Sequence, residues 1–169
     1  MVAVPEEEQR RGGALQDAHA GELRAVDDPG LLIYERVLPA LAGSAARIRR
    51  ELTETLARHN LAADRHADIA TVVSEAANNA ILHAYRDQAP GPLYTAAALG
   101  GDSLTVWISD FGCGMLPRGD SPGLGLGVTL MTRLCDQLQI SAHADGVGTC
   151  VTAVFARMKT GRRAPHRSP

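Results

Sequence analysis

Three clusters of residues in this sequence have the types and the spacing to do chemistry. Glu75, Asn79 and His83 recur at i, i+4 and i+8, so on a helix they share one face. A carboxylate and a carboxamide beside an apolar stripe are costly to bury unless something satisfies them. A hydrated magnesium ion carrying nucleotide phosphates would do so; the competing reading is a helix edge turned to water. Further along, Asp110 stands in phase with Leu104, Val106 and Ile108, so on a strand its carboxylate points to the side those apolar residues bury. Gly112 and Gly114 follow at once and let a flat ligand approach the backbone. An adenine amino group is a donor that suits such a carboxylate, although Asp-Phe-Gly-Cys-Gly taken alone also reads as a turn. Last, Gly119, Gly123, Gly125 and Gly127 precede an apolar stretch, and amides exposed at a helix N-terminus suit phosphate oxygens. A flexible connection explains one or two of these glycines better than it explains Gly123-Leu-Gly-Leu-Gly127.

Competing motifs fail on spacing. No Gly-x-x-x-x-Gly-Lys occurs, and Val128 stands where a dinucleotide fingerprint needs its third glycine. Asp110-Phe-Gly112 has no His-Arg-Asp loop to accompany it. Trp107 and Tyr85 read as core or surface anchors rather than stacking platforms.

The elements that must position these residues follow from periodicity. Leu31 to Leu38 is strand-like, and Ser44 to His59 reads as a helix with Ser44 as candidate N-cap. Ile48, Leu52, Thr55 and Leu56 form its apolar face, with Arg47, Arg49, Arg50, Glu51 and Glu54 opposite. Asp64 is placed to cap a longer helix reaching Tyr85, with Ile69, Val72, Val73, Ala76, Ala80 and Ala84 as its stripe. After Pro90-Gly91-Pro92, strands over Leu93–Leu99 and Leu104–Ser109 form a hairpin about Gly100-Gly101-Asp102. A glycine-rich loop from Gly112 to Gly127 leads into a short helix through Leu134, followed by strands over Gln137–Ala142 and Thr149–Ala156. Strands and helices that do not strictly alternate predict an α+β two-layer sandwich, helices on one face of a mostly antiparallel mixed sheet.

The bulk numbers agree with one domain plus tails. The 169 residues, 45% hydrophobic and 21% charged, suffice for a core that needs no staples. Residues 1–29 mix charge, Gly and Ala without sustained periodicity and are expected to be a flexible extension. The domain proper spans 30–158, and the basic tail 159–169 is expected to be flexible too. A formal net charge of −2 gives no general attraction to nucleic acid or anionic membrane. Cys113, Cys135 and Cys150 form no Cys-x-x-Cys pair, so neither a disulfide framework nor a zinc site is suggested. With acidic residues at the N-terminus and no long apolar run, the expected setting is the cytoplasm.

Taken in order, Glu75-Ala-Ala-Asn-Asn79-Ala-Ile-Leu-His-Ala-Tyr85, Ser109-Asp-Phe-Gly-Cys-Gly-Met115, Gly123-Leu-Gly-Leu-Gly127 and Gly148-Thr149 resemble the Bergerat-fold ATPases shared by gyrase, heat-shock chaperones and sensor histidine kinases. Within that superfamily the chain looks most like the small anti-sigma factor serine kinases, including the short-lid regulators of actinobacteria. The resemblance covers about Leu31 to Met158. It implies ATP or ADP with magnesium as cofactors. Asn79 would give its side-chain oxygen to magnesium, with Asn78 the alternative and the Glu-x-x-x-Asn-Ala match selecting Asn79. Glu75 would be the catalytic base. Asp110 would bind the adenine amino group, Gly112 and Gly114 would floor the pocket beside Met115, and Thr149 would join the adenine water network. Gly123, Leu124, Gly125, Leu126 and Gly127 would meet the phosphates, and Arg118 is the one lid cation. The pattern departs from the family where Leu116-Pro117 replaces an acidic residue, and the lid, Met115 to Pro122, is short.

Two functions of different class follow from the resemblance. The first is an enzyme that phosphorylates Ser or Thr of an anti-anti-sigma-like protein and holds a sigma factor. The second is a non-catalytic, ATP-gated binding module, which the short lid favours. A sensor histidine kinase fragment is disfavoured, because around His19 the acid is displaced to Glu22 and no helical hairpin follows. Relatives of this kind often dimerise, so a homodimer is among the expected partners, whereas direct nucleic-acid and membrane contacts are not.

Overall fold

Strand β1, Leu31–Pro39, buries Tyr34 and Leu38 and leaves most of its other residues exposed. The structure it opens, a computed structural model, describes residues 30–59, 61, 63–86, 88–113, 124–143 and 146–156, with backbone alone for Asp64, Leu124 and Gly125. The expected extension 1–29 and the tail 159–169 lie outside the described residues.

Helix α1 spans Ala42–Arg58, two residues earlier than the predicted start. Ser44 is not its N-cap. Leu41 holds that position without a side-chain bond, and the Ser44 hydroxyl donates instead to the Pro39 carbonyl oxygen at 2.6 Å. The strand-to-helix connection is so tight that this hydroxyl is spent tying α1 to β1. Helix α2, Ala63–Asn79, starts one residue ahead of Asp64. It was expected to run on as an α-helix to Tyr85, but Ala80–Ala84 form a π-helical turn, whose i→i+5 bonding admits one more residue per turn. Helix α3 occupies Leu124–Leu134. Gly125 and Gly127 therefore lie inside a helix and not in a loop before it. Glycine costs a helix interior about 1 kcal/mol relative to alanine, and the fully buried Met131 together with Val128 and Leu134, packed on the core, outweighs that penalty.

The remaining strands are β2 (Pro92–Leu99), β3 (Ser103–Asp110), β4 (Gln137–Ala142) and β5 (Thr149–Ala156). They form one sheet in the order β1-β2-β3-β5-β4, antiparallel at each described pairing. Their hairpin turns where expected, the Gly100 N–H donating to the Ser103 carbonyl at 2.9 Å.

The main core lies between this sheet and the helices. Ile48, Leu52 and Leu56 of α1 and Ile69, Val72, Val73 and Ala76 of α2 meet Leu104, Val106, Ile108, Val151 and Phe155 of the sheet. This is the two-layer α+β sandwich that the periodicity predicts. The opposite sheet face carries a second cluster of Tyr94, Ala96, Ala98, Trp107 and Cys150. Among the described residues no helix is long and apolar enough to cross a membrane.

Candidate functional site

Glu75 and Asn79 sit one turn apart on α2, and α3 crosses them at its glycines. Gly127 is buried, and a Cβ there would come within 3.0 Å of Glu75 Oε2 and 3.7 Å of Asn79 Nδ2. The absence of a side chain thus lets two helices bring a carboxylate, a carboxamide and a stretch of backbone together. The neighbouring Asn78 is exposed, whereas Asn79 Nδ2 is buried without a hydrogen-bond partner. An orphaned buried amide costs about 1–3 kcal/mol, which marks this position as one whose partner is not another side chain of the fold.

The third polar residue predicted for that face is diverted. Past Asn79 the π-helical turn breaks the α-helical phase, and His83 Nδ1 lies 3.0 Å from Arg86 Nη2. The turn ends in a carbonyl with a use of its own. Ala84 O accepts the Cys113 N–H at 2.8 Å, and Gly112 approaches it so closely that any Cβ would overlap it. Tyr85, next in the chain, donates its hydroxyl to Pro92 O at 2.6 Å and accepts the Phe111 N–H at 2.9 Å. The end of α2 is thereby stitched to the Asp110–Cys113 backbone. Burial, opposed by the Phe111 N–H and assisted by the Asp110 charge, pushes the Tyr85 phenol up to about 12.

Asp110 ends β3 facing the helices, as its phase predicts, and is 3% exposed. Burial holds its carboxyl above the ordinary aspartate value. The Gly112 N–H, the charge of His143 and the Thr149 N–H pull the other way. The Gly112 N–H donates to Asp110 Oδ1 at 3.1 Å, and Thr149, also buried, is paired with Asp110 in the β3–β5 register. Gly148 has φ +85, and a Cβ there would overlap the Asp110 carbonyl oxygen, so glycine is required by both conformation and space.

The structure therefore joins Glu75, Asn79 and Gly127 at one end to Asp110, Gly112 and Thr149 at the other, through Ala84. Leu126 lies on α3 with its side chain exposed, so only its backbone faces the helix axis; Leu124 and Gly125 open that helix. Gly114, Met115, Arg118 and Gly123 lie outside the described residues. So does Gly119-Asp-Ser121-Pro-Gly123, which has the spacing of a nucleophile elbow, although β3 ends well before it at Asp110. Sequence reasoning missed His143, and it assigns no role of their own in the site to Tyr85, read as an anchor, or to Gly148, quoted with Thr149. His143 is buried, stacks on Phe111 with ring centroids 4.7 Å apart, and donates from Nε2 to Asp110 O.

The donor set suits a hard cation only in part. Among the described residues no group of three or more His, Cys, Asp or Glu side chains could hold a metal. One carboxamide oxygen and one carboxylate match a magnesium ion that keeps most of its waters and takes other ligands from phosphates; the orphaned Asn79 Nδ2 is a donor and suits a phosphate oxygen or a water, not the ion itself.

Comparison with known proteins bears on the same residues. The histidine kinase-like ATPase domain family matches residues 38–155. The chain is 29% identical over 133 residues to an anti-sigma F factor of Lysinibacillus sphaericus, covering 72% of this chain and 91% of that protein. In fold it is similar to a Mycobacterium tuberculosis chain that carries RsbU and RsbW domains, with a TM-score of 0.58 and 24% identity. The match covers 73% of this chain but spans only 31% of the mycobacterial one. It is also similar to a chain of the SiaB–SiaC complex of Pseudomonas aeruginosa, with a TM-score of 0.54, 13% identity, and coverage of 83% and 99%.

Proposed function

The chain belongs to the histidine kinase-like ATPase domain family, and from that premise we propose an ATP-binding regulator of the anti-sigma type that phosphorylates Ser or Thr of an anti-anti-sigma-like protein and sequesters a sigma factor. The observation that supports the reading is the close approach of Gly127 to Glu75 and Asn79, since a base, a metal ligand and a helix turn would all be needed near the phosphates. The relative named as an anti-sigma F factor, alike over most of its length, supports the regulatory half.

On this reading Asp110 accepts a hydrogen bond from the adenine amino group over a floor made by Gly112 and Gly114, with Thr149 beside it. The backbone of Gly123 to Gly127 meets the phosphates, with Met115 and Arg118 in the lid. Asn79 Oδ1 would hold magnesium, which supplies neutralisation of phosphate charge. Glu75 takes the proton of the incoming hydroxyl as its oxygen bonds to the γ-phosphorus. The bond from that phosphorus to the β–γ bridging oxygen breaks, and ADP leaves with the electron pair. The setting is cytoplasmic, and neither nucleic acid nor membrane is a direct partner.

A second reading, an ATP-gated binding module without transfer, is favoured by the short stretch from Met115 to Pro122 between the two glycine motifs. One assay separates them. The chain is incubated with γ-labelled ATP, magnesium and each candidate antagonist from the same genome. Label on Ser or Thr of an antagonist supports the kinase, and nucleotide-dependent complex formation without label supports the module.

A further inference from the structure

The second face of the sheet is withdrawn from water although no described helix lies on it. Trp107 is 1% exposed, Ala96 0%, Ala98 1% and Cys150 1%, and the buried Ser109 and Thr105 share the face by register. Among the described residues the cluster is made of these strands' side chains, with Phe111 at its edge. The buried residues of α1, α2 and α3 all belong to the other side. An indole on a bare sheet would present one of its faces to solvent, and the structure contains one copy of one chain. We propose that the N-terminal segment, residues 1–29, packs across this face and closes the sheet as a third layer.

The remaining stretches outside the described residues fit the face poorly. Those at 60, 62, 87 and 144–145 are too short to cover three strands. Residues 114–123 run from Cys113, bonded to Ala84 on the helix side, to α3 on the same side. The stretch after Ala156 offers Met158 as its one large apolar residue, too little apolar surface to cover an indole and three strands. Residues 1–29 have the length and the side chains. Even at about 1.5 Å per residue in a helix they outreach an eight-residue strand at about 3.4 Å per residue. They carry Leu15, Leu23 and Val26 together with the small residues Ala14, Ala18, Ala20, Gly21 and Ala25. Small residues on the segment suit a floor of Ala96, Ala98, Ser109 and Cys150, where backbone can approach closely.

The point of entry agrees. The segment joins β1 through Gly30, whose φ of +74 only glycine adopts readily and whose Cβ would overlap the Leu99 carbonyl. That turn brings Gly30 against the end of β2 at Leu99 and Gly100, the strand that carries Tyr94, Ala96 and Ala98, so the segment would start from that strand's end.

Trp107 is the sole tryptophan of the chain, so it reports on the cover directly. In the full chain its emission should be blue-shifted and resistant to acrylamide at all protein concentrations. The Leu15→Asp/Leu23→Asp double variant should shift emission to the red and raise the quenching constant several-fold while ADP affinity holds, and Met158→Asp should change neither. Continued shielding in the double variant, exposure by Met158→Asp, or loss of shielding on dilution of the wild type would each overturn the proposal, the last by assigning the face to a second copy. Should the double variant fail to fold, a nitroxide on Ala20→Cys in a Cys113→Ser chain decides the matter. Quenching of Trp107 by that label is expected, and undiminished emission overturns the cover.

Discussion

His143 Nε2 donates to the backbone oxygen of Asp110 across 2.9 Å while its ring lies parallel to Phe111, 4° from coplanar. A histidine at the end of β4 thus fixes the strand end that carries the candidate adenine acceptor. His143→Ala should leave the fold intact at a cost of about 1–3 kcal/mol, since the Asp110 carbonyl loses a buried donor. It should also weaken ADP binding, because the Asp110 carboxylate is aimed by that backbone. Calorimetric titration of a folded variant checks this, and unchanged affinity would separate the histidine from the site.

Asp110 itself couples stability to function. Burial is the main cause that raises its carboxyl above the ordinary aspartate value, so the folded chain holds that proton more tightly than the unfolded chain does. The stability linked to that proton is complete below the ordinary value of about 4 and is lost as pH rises through the raised native value. Asp110→Asn cannot ionise and still accepts the Gly112 N–H. It should melt at a higher temperature than wild type at neutral pH, and the advantage should vanish in acid below the ordinary value. ATP and ADP affinity should fall by about 1.5–3 kcal/mol, because a charge-assisted acceptor is lost. A stabilised variant with wild-type affinity would falsify the adenine assignment.

Gly127 presents the same conflict in a helix. Alanine would strengthen α3 by up to about 1 kcal/mol on propensity alone, yet its methyl would stand 3.0 Å from Glu75 Oε2. Gly127→Ala should therefore stay within about 1 kcal/mol of wild type in thermal melts, the propensity gain being set against the displaced Glu75 carboxylate, and bind ATP less tightly. Adenosine affinity should hold, since the purine end lies with Asp110.

Magnesium dependence isolates Asn79. If its amide meets nucleotide only through the ion, Asn79→Ala should lower affinity for Mg-ATP and leave adenosine binding intact. Equal losses for both ligands would show that the mutation had disturbed α2 itself.

The sequence carried the parts of this arrangement that depend on local period. Asp110 faces the core because it continues the alternation of Leu104, Val106 and Ile108, and Glu75 and Asn79 share a face because α2 is regular up to Asn79. The π-helical turn over Ala80–Ala84 was not legible, since Ala-Ile-Leu-His-Ala suits an α-helix and the extra residue is selected by Ala84 O meeting Cys113 N–H. The start of α3 at Leu124 was hidden by glycines whose use is tertiary contact. His143 gave no signal, and Tyr85 read as an anchor without its target, because their partners, Asp110, Phe111 and Pro92, are remote or reached only after a turn. Ser44 misled for a related reason, its hydroxyl being claimed by Pro39 across the preceding connection.

Glu75 decides between enzyme and binding module. On the kinase reading it acts on the incoming hydroxyl and not on the ground-state nucleotide, so binding and chemistry should separate on mutation. Glu75→Gln keeps size and hydrogen-bonding capacity while removing the base. General-base catalysis contributes about 100- to 10,000-fold, so phosphate transfer to the antagonist should fall by that order while ATP affinity changes less than about tenfold. Because Glu75 stands beside Asn79 and against Gly127, a glutamine could also shift the metal position. Transfer and ATP affinity are therefore measured on one folded preparation, with magnesium titrated in both. A fall in transfer that saturating magnesium restores would assign Glu75 to metal placement. A fall that persists at full nucleotide occupancy assigns it to the proton. If wild type transfers no phosphate to any antagonist and Glu75→Gln exchanges partners as wild type does, the kinase reading is lost and the ATP-gated module stands.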